Sequence, residues 1–160
     1  MTQSPTATLP ARATVDTAAA VSVQVTTPGL TASPVRALTL AEPLPGFPGH
    51  RAYALVAADA SGLVFWLQSV APDGPRFLAV PAAPYFPDYT PAVPSAACDE
   101  LGLGDVADAD LYCLVTVPDG DITAATANLR APVVVNSVTY QARQVVLADG
   151  RHPIRRPLRR

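Results

Sequence analysis

Thirteen carboxylates are the side chains of this 160-residue chain best suited to acid–base chemistry. Eight fall between Phe77 and Leu129: Asp88, Asp99, Glu100, Asp105, Asp108, Asp110, Asp119 and Asp121. No basic residue interrupts that stretch. A pair of them could serve acid–base catalysis, but their number and mutual crowding read as a solvated acidic face. Such a face repels nucleic acid and attracts a basic partner. Asp99, Glu100, Asp105, Asp108 and Asp110 are therefore candidate contact residues.

Other chemistry is sparse. His50 sits in a Pro/Gly turn and His152 in an arginine-rich end, and neither has a carboxylate or cysteine at ligand spacing. Cys98 and Cys113 make neither a metal-finger spacing nor a C-x-x-C pair, so both read as reduced, buried thiols. There is no G-x-S-x-G and no evident Ser/His/Asp set. "GLGDVA", 102–107, matches G-x-G-x-x-A, with Asp121 downstream. It follows a predicted helix and precedes a predicted strand, the reverse of what a dinucleotide turn needs. The residues thus point to no enzyme, no cofactor and no metal.

All eleven basic residues are arginines, and five of them (Arg151, Arg155, Arg156, Arg159 and Arg160) lie in the last ten positions. The rest of the chain sets six arginines against thirteen acids, a balance of −7. The arginine end reads as a frayed, solubilising tail over 150–160 and not as an RNA or membrane anchor. "MTQSPTATLPARATVDTA", 1–18, reads as a flexible extension. It lacks the basic start and apolar block of a signal peptide, so the expected compartment is the cytoplasm. The longest apolar runs fall far short of the ~20 residues of a membrane helix.

The elements that position these residues follow a period of two. "VSVQVT" (21–26), "RAYALVA", "LVFWLQSV", "RFLAV", "LYCLVTV" (111–117), "VVVNSVTY" and "RQVVL" predict strands. In 111–117, Leu111, Cys113, Val115 and Val117 share one face. Asp73-Gly74, Asp119-Gly120 and Asp149-Gly150 mark tight turns, and "DASG" (59–62) a hairpin. One helix is predicted, capped by Ser95 and closed by Gly102. Short strands with one small helix argue for an all-β fold, a single antiparallel β-barrel-like domain over 19–149. With 49% hydrophobic residues, a domain of this length can bury roughly 70% of its unfolded surface.

Near the end of the chain, "TANLRAPVVVN" (126–136) combines an apolar strand with a built entrance. Pro132 forces Ala131 to be extended, and Asn128 can bond backbone groups in a turn. The alternative is that Asn128, Leu129 and Arg130 form part of a contact surface. Two further candidates carry the same ambiguity. Tyr85, Phe86 and Tyr89, with Asp88 among prolines, either cover one end of the barrel or meet a partner. Leu44-Pro45-Gly46-Phe47 reads as a tight turn holding a core phenylalanine.

Several segments in register resemble one family. "PLPGFPGHRAYALV" (43–56), "FWLQSV" (65–70), "FLAVPAAPYFPDYTPAVP" (77–94), "DLYCLVTVP" (110–118), "TANLRAPVVVN" (126–136) and "RQVVL" (143–147) together resemble the flagellar assembly factor FliW family. The motif positions are Leu44, Pro45, Gly46, Phe47, Gln68, Ser69, Thr126, Asn128, Leu129, Ala131, Pro132 and Asn136. The likeness spans about Val21 to Leu147 and leaves the two ends outside. Pro43, Pro48 and the late hairpin "TYQARQ" depart from the family pattern. The resemblance implies a small, non-enzymatic, cytoplasmic β-barrel-like protein, expected to be monomeric alone. It implies two alternative partners, flagellin before export and the translational repressor CsrA, with no direct contact to nucleic acid or membrane. A rival from another class is a small-ligand barrel whose pocket is lined by Phe65, Trp66, Tyr85 and Phe86; an enzyme on an open barrel is a third reading.

Overall fold

The structure, a computed structural model, describes residues 22–25, 33–148 and 150–158. The predicted extension 1–18 lies outside them, as do Val21, Thr26, Asp149, Arg159 and Arg160. Among the described residues ten strands form one sheet: β1 Ser22–Val25, β2 Ser33–Leu40, β3 Ala52–Ala57, β4 Phe65–Ser69, β5 Arg76–Pro81, β6 Ala109–Thr116, β7 Thr126–Ala127, β8 Val133–Asn136, β9 Gln141–Gln144 and β10 Arg156–Pro157. The order β6-β5-β4-β3-β2-β9-β8 closes on itself because β8 also pairs β6. The result is a seven-stranded barrel with β1, β7 and β10 added outside the ring. All pairings are antiparallel except β2–β9, where Thr39 faces Gln141 and Leu40 faces Ala142 in parallel register.

Alternation fills the barrel. Leu38, Leu40, Tyr53, Leu55, Leu67, Ala79, Tyr112, Val133, Val135 and Ala142 form one buried cluster, joined by Phe65 and Phe77. Edge-to-face contacts link Phe65 to Tyr112 and Phe47 to Phe77 at centroid distances of 5.8 and 5.5 Å. The outward residues of the same strands are covered as well. Cys113, with Leu111 and Val115 beside it, packs under Phe86 and Leu129. Val134 packs under Ala97, Leu101 and Leu103. This explains three consecutive buried valines: β8 is covered on both faces. Each buried valine contributes about 1.5–3 kcal/mol by transfer from water.

The turns follow their residue chemistry. In Leu44-Pro45-Gly46-Phe47 the Phe47 N–H donates to the Leu44 carbonyl at 2.9 Å, with Gly46 at φ +90. This is the type II turn that Pro and Gly favour at its centre. Asp119 and Gly120 both have positive φ, and Asp121 N–H closes onto Pro118 at 2.8 Å, a type I′ turn.

Three expectations are corrected. The described residues hold two short helices, Ala82–Tyr85 and Ser95–Glu100, besides three single turns of 3₁₀ helix. Ser95 is not the cap: Pro94 occupies that position with no side-chain hydrogen bond, and Ser95 is the first helical residue. The C-terminal end behaves as read. Gly102 has φ +71, its N–H donates to Asp99, and Leu103 N–H reaches Cys98 at 2.8 Å, the Schellman pattern. The run 133–140 is not one strand; it ends at Asn136, and Tyr140 takes a positive φ of 61 before β9 begins.

Candidate partner-binding surfaces

The sequence candidates separate into two places around β6. The acidic set clusters by its first residues. Asp99 and Glu100 end the helix, Asp105 precedes a 3₁₀ turn and Asp108 is its last residue, and Asp110 pairs with Val135 on β8. Asp105 Oδ1 accepts the Ala107 N–H at 3.0 Å, and the Asp108 carbonyl accepts from Ser137. Asp99, Glu100, Asp105 and Asp108 are exposed, while Asp110 is half-buried. The charge is not wholly uncompensated. Arg143 of β9, distant in sequence, donates to Glu100 and lies 3.4 Å from Glu42.

The aromatic segment lies toward the other end of β6, where β7 replaces β8 as partner. Phe86 is buried and Tyr85 and Tyr89 are half-buried. The Tyr89 hydroxyl donates to the Leu129 carbonyl, and burial pushes its pKa above the ordinary phenol value. Asp88 lines a cleft of about 170 Å³ with these aromatics, Leu129, Arg151, His152 and Arg156. Tyr85 and Phe86 thus cover apolar surface and border a cleft.

The arginine end does not fray over its described part. β10 pairs β7, the Leu129 N–H donates to Pro153 at 3.0 Å, and Leu158 N–H to Ala125 at 3.0 Å. Arg130 donates to the carbonyls of His152 and Gly150. His152 stands edge-on to Tyr89 at 5.1 Å, and the Arg156 guanidinium lies 5.4 Å from the Phe86 ring centre. The tail escaped the sequence reading because arginine and proline carry no strand alternation. Its partners are carbonyls and rings contributed by remote segments.

The remaining motif residues make contacts within the barrel and its turns. Asn128 Oδ1 accepts from Arg130 and Ala131, and Leu129, Ala131 and Pro132 are buried behind it. Asn136, the one buried polar residue among the described residues, donates to Leu101 and accepts from Val138 and Thr139. Thr126 pairs with both Thr116 and Pro157, and Gln68 with Ala54 and Arg76. Ser69 Oγ accepts the Ala71 N–H at 3.1 Å and contacts His50 Nδ1 at 2.9 Å. Leu44 and Phe47 fill the barrel end. Sequence reasoning missed Glu42, Arg143 and His152, whose roles depend on contacts made only in the closed barrel.

The pocket of the rival reading does not assemble. Phe65 points into the barrel. Its neighbour Trp66 takes the opposite face by the period of two and lies under Arg76, 4.1 Å from the ring centre. Tyr85 and Phe86 are on the patch over β6. Among the described residues no group of three His, Cys, Asp or Glu is placed to hold a metal ion. No helix among them is long and apolar enough to cross a membrane.

The FliW protein family model matches residues 22–158. The chain belongs to the FliW family. The match extends past Leu147 and takes in β10, so the docked tail lies within the family span. A flagellar assembly factor FliW of Moorella thermoacetica is 39% identical over 93 residues, 58% of this chain and 59% of that protein. The FliW of Symbiobacterium thermophilum is 38% identical over 115 residues, 71% of this chain and 82% of that one. The chain thus aligns with under two thirds of the first relative and about four fifths of the second. A crystal structure of the flagellar assembly factor FliW superposes with a TM-score of 0.70 over 85% of this chain and 96% of that chain, at 24% identity. That likeness establishes the FliW barrel fold.

Proposed function

We propose that this protein is a flagellar assembly factor that works in the cytoplasm by exchanging partners. It binds flagellin before export and, once flagellin has left, binds CsrA and lifts its repression of flagellin translation. The observation that carries the reading is the acidic rim around the start of β6, where Asp99, Glu100, Asp105 and Asp108 are exposed. Negative charge there attracts a basic RNA-binding protein and repels the RNA that protein carries. Family membership supports the same reading, since relatives in the family carry the name flagellar assembly factor. No reaction is assigned: Ser69 Oγ, which contacts His50 Nδ1, also accepts the Ala71 N–H and so closes a turn.

A pull-down from the source cytoplasm tests it. Flagellin or CsrA in the bound fraction is the expected result. Recovery of neither, with a small molecule copurifying, would return the protein to the ligand-barrel class.

A further inference from the structure

A groove of about 320 Å³ opens where three remote segments meet: the turn after β2, the start of the Ser95–Glu100 helix and the chain leaving β9. Pro43, Pro45, Pro94, Ala97, Val145 and Val146 supply its walls. Val146 is 67% exposed although its neighbours Val145 and Leu147 are buried. It presents apolar surface at the groove that the fold itself leaves uncovered. Glu42 and Arg143 line the same groove. Glu100, which receives a hydrogen bond from Arg143, stands beside them.

The charges at this rim select the occupant. Arg143 is already committed to both glutamates, so a partner's carboxylate or phosphate finds no free cation in that pair. Glu42 is held loosely, at 3.4 Å, and its side chain is 60% exposed. It can turn to an incoming guanidinium or ammonium at small desolvation cost. With Asp99 also exposed nearby in the chain, the rim is net negative.

We propose that this groove receives an amphipathic segment of a basic protein partner. One apolar side chain of that segment enters between the prolines, and a flanking Lys or Arg reaches Glu42 and Glu100. Two features singled out in the sequence, the Leu-Pro-Gly-Phe turn and the acidic set, then act as two borders of one docking site. The identification of the partner as CsrA rests on the function proposed above; the groove and its preference for a basic amphipathic segment do not.

The test has two arms. In the first, a synthetic helical peptide of leucine and lysine is added to isotope-labelled protein, and amide shifts are mapped by NMR. Shifts concentrated at Glu42, Phe47, Ala97 and Arg143–Val146 are expected, and Val146→Asp should abolish them. No shifts, or shifts confined to other surfaces, overturn the groove. In the second arm, purified CsrA is titrated against wild type, Val146→Asp and Glu42→Lys, with Ile122→Asp as an exposed apolar control. Each groove variant should weaken CsrA binding about tenfold or more, as loss of an anchor at an interface centre does, while the control binds like wild type. Groove variants that bind CsrA as wild type does would overturn the proposal. Failure of wild type itself to bind CsrA, with the peptide still mapping to the groove, would contradict the partner reading and support the groove.

Discussion

Asn128 and Asn136 bracket β8 with the same device. Asn128 Oδ1 accepts the N–H groups of Arg130 and Ala131 at 2.9 and 3.2 Å; Asn136 Oδ1 accepts those of Val138 and Thr139 at 2.9 and 3.2 Å. Each side chain closes a turn two and three residues ahead, one before the strand and one after it. The four residues of β8, of which Asn136 is the last, are all buried.

Asn128→Ala should destabilise the protein by about 1–3 kcal/mol, the cost of leaving partly buried N–H groups unsatisfied. Asn136→Ala should cost more, because Asn136 also donates to the Leu101 carbonyl from a site only 6% exposed. Urea unfolding measures both. For the folded fraction of Asn128→Ala, partner affinity should stay as in wild type. Unchanged melting with lost binding would make Asn128 a contact residue instead.

Gly74 is constrained by its neighbours and not by its backbone. A Cβ there would lie 2.2 Å from Ser69 Oγ, 2.3 Å from Ser69 Cβ and 2.9 Å from His50 Cε1. Gly74→Ala should therefore cost about 1–3 kcal/mol through overpacking, and Ser69→Gly in the same chain should recover part of the loss. Equal melting of Gly74→Ala and wild type would contradict this close packing.

The barrel was legible because its strands alternate and because Pro45-Gly46 and Asp119-Gly120 stand where turns require positive φ. The missing strand, β2, mixes its signals: Val35 is buried at an odd position, Leu38 and Leu40 at even ones, and Pro34 sits near its start. β7 and β10 are two residues each, too short for any period to register. The hydrogen bonds that Asn128 accepts from Arg130 and Ala131 followed from asparagine's turn chemistry. The engagement of the acidic set by Arg143, and the docking of the arginine end onto Tyr89 and Phe86, did not follow from local pattern. Both join segments tens of residues apart, and only the closed ring brings them together.

Stability should fall in alkali. Burial pushes the Cys113 thiol up to about 12, and the Tyr89 and Tyr112 hydroxyls are also raised. The folded state therefore keeps protons that the unfolded chain gives up. This contribution is fully present below the unfolded thiol pKa of about 8.5 and is lost as pH rises toward about 12. The slope should approach about 1.4 kcal/mol per pH unit for one group, with the tyrosines adding beyond about pH 10. Urea unfolding at pH 7.5, 9 and 10 should show the decline, and Cys113→Ala should flatten its first part. A stability that does not change across that range would refute the buried-thiol account.

The acidic rim should steer association. Reversing Asp105, Asp108 and Asp110 to arginine removes attraction and adds repulsion, so association with CsrA should slow by roughly tenfold or more at low salt. The difference should shrink as ionic strength rises. Flagellin association should suffer less. Stopped-flow rates against salt for both partners decide it: equal losses for the two, or no dependence on salt, would leave these carboxylates with a solubilising role only.

The partner exchange itself is tested most directly by the anisotropy of a fluorescent flagellin-leader RNA bound to CsrA. Adding this protein should release the RNA, and adding flagellin afterwards should restore the bound signal. RNA that stays on CsrA at saturating protein, or release that flagellin cannot reverse, would contradict the account.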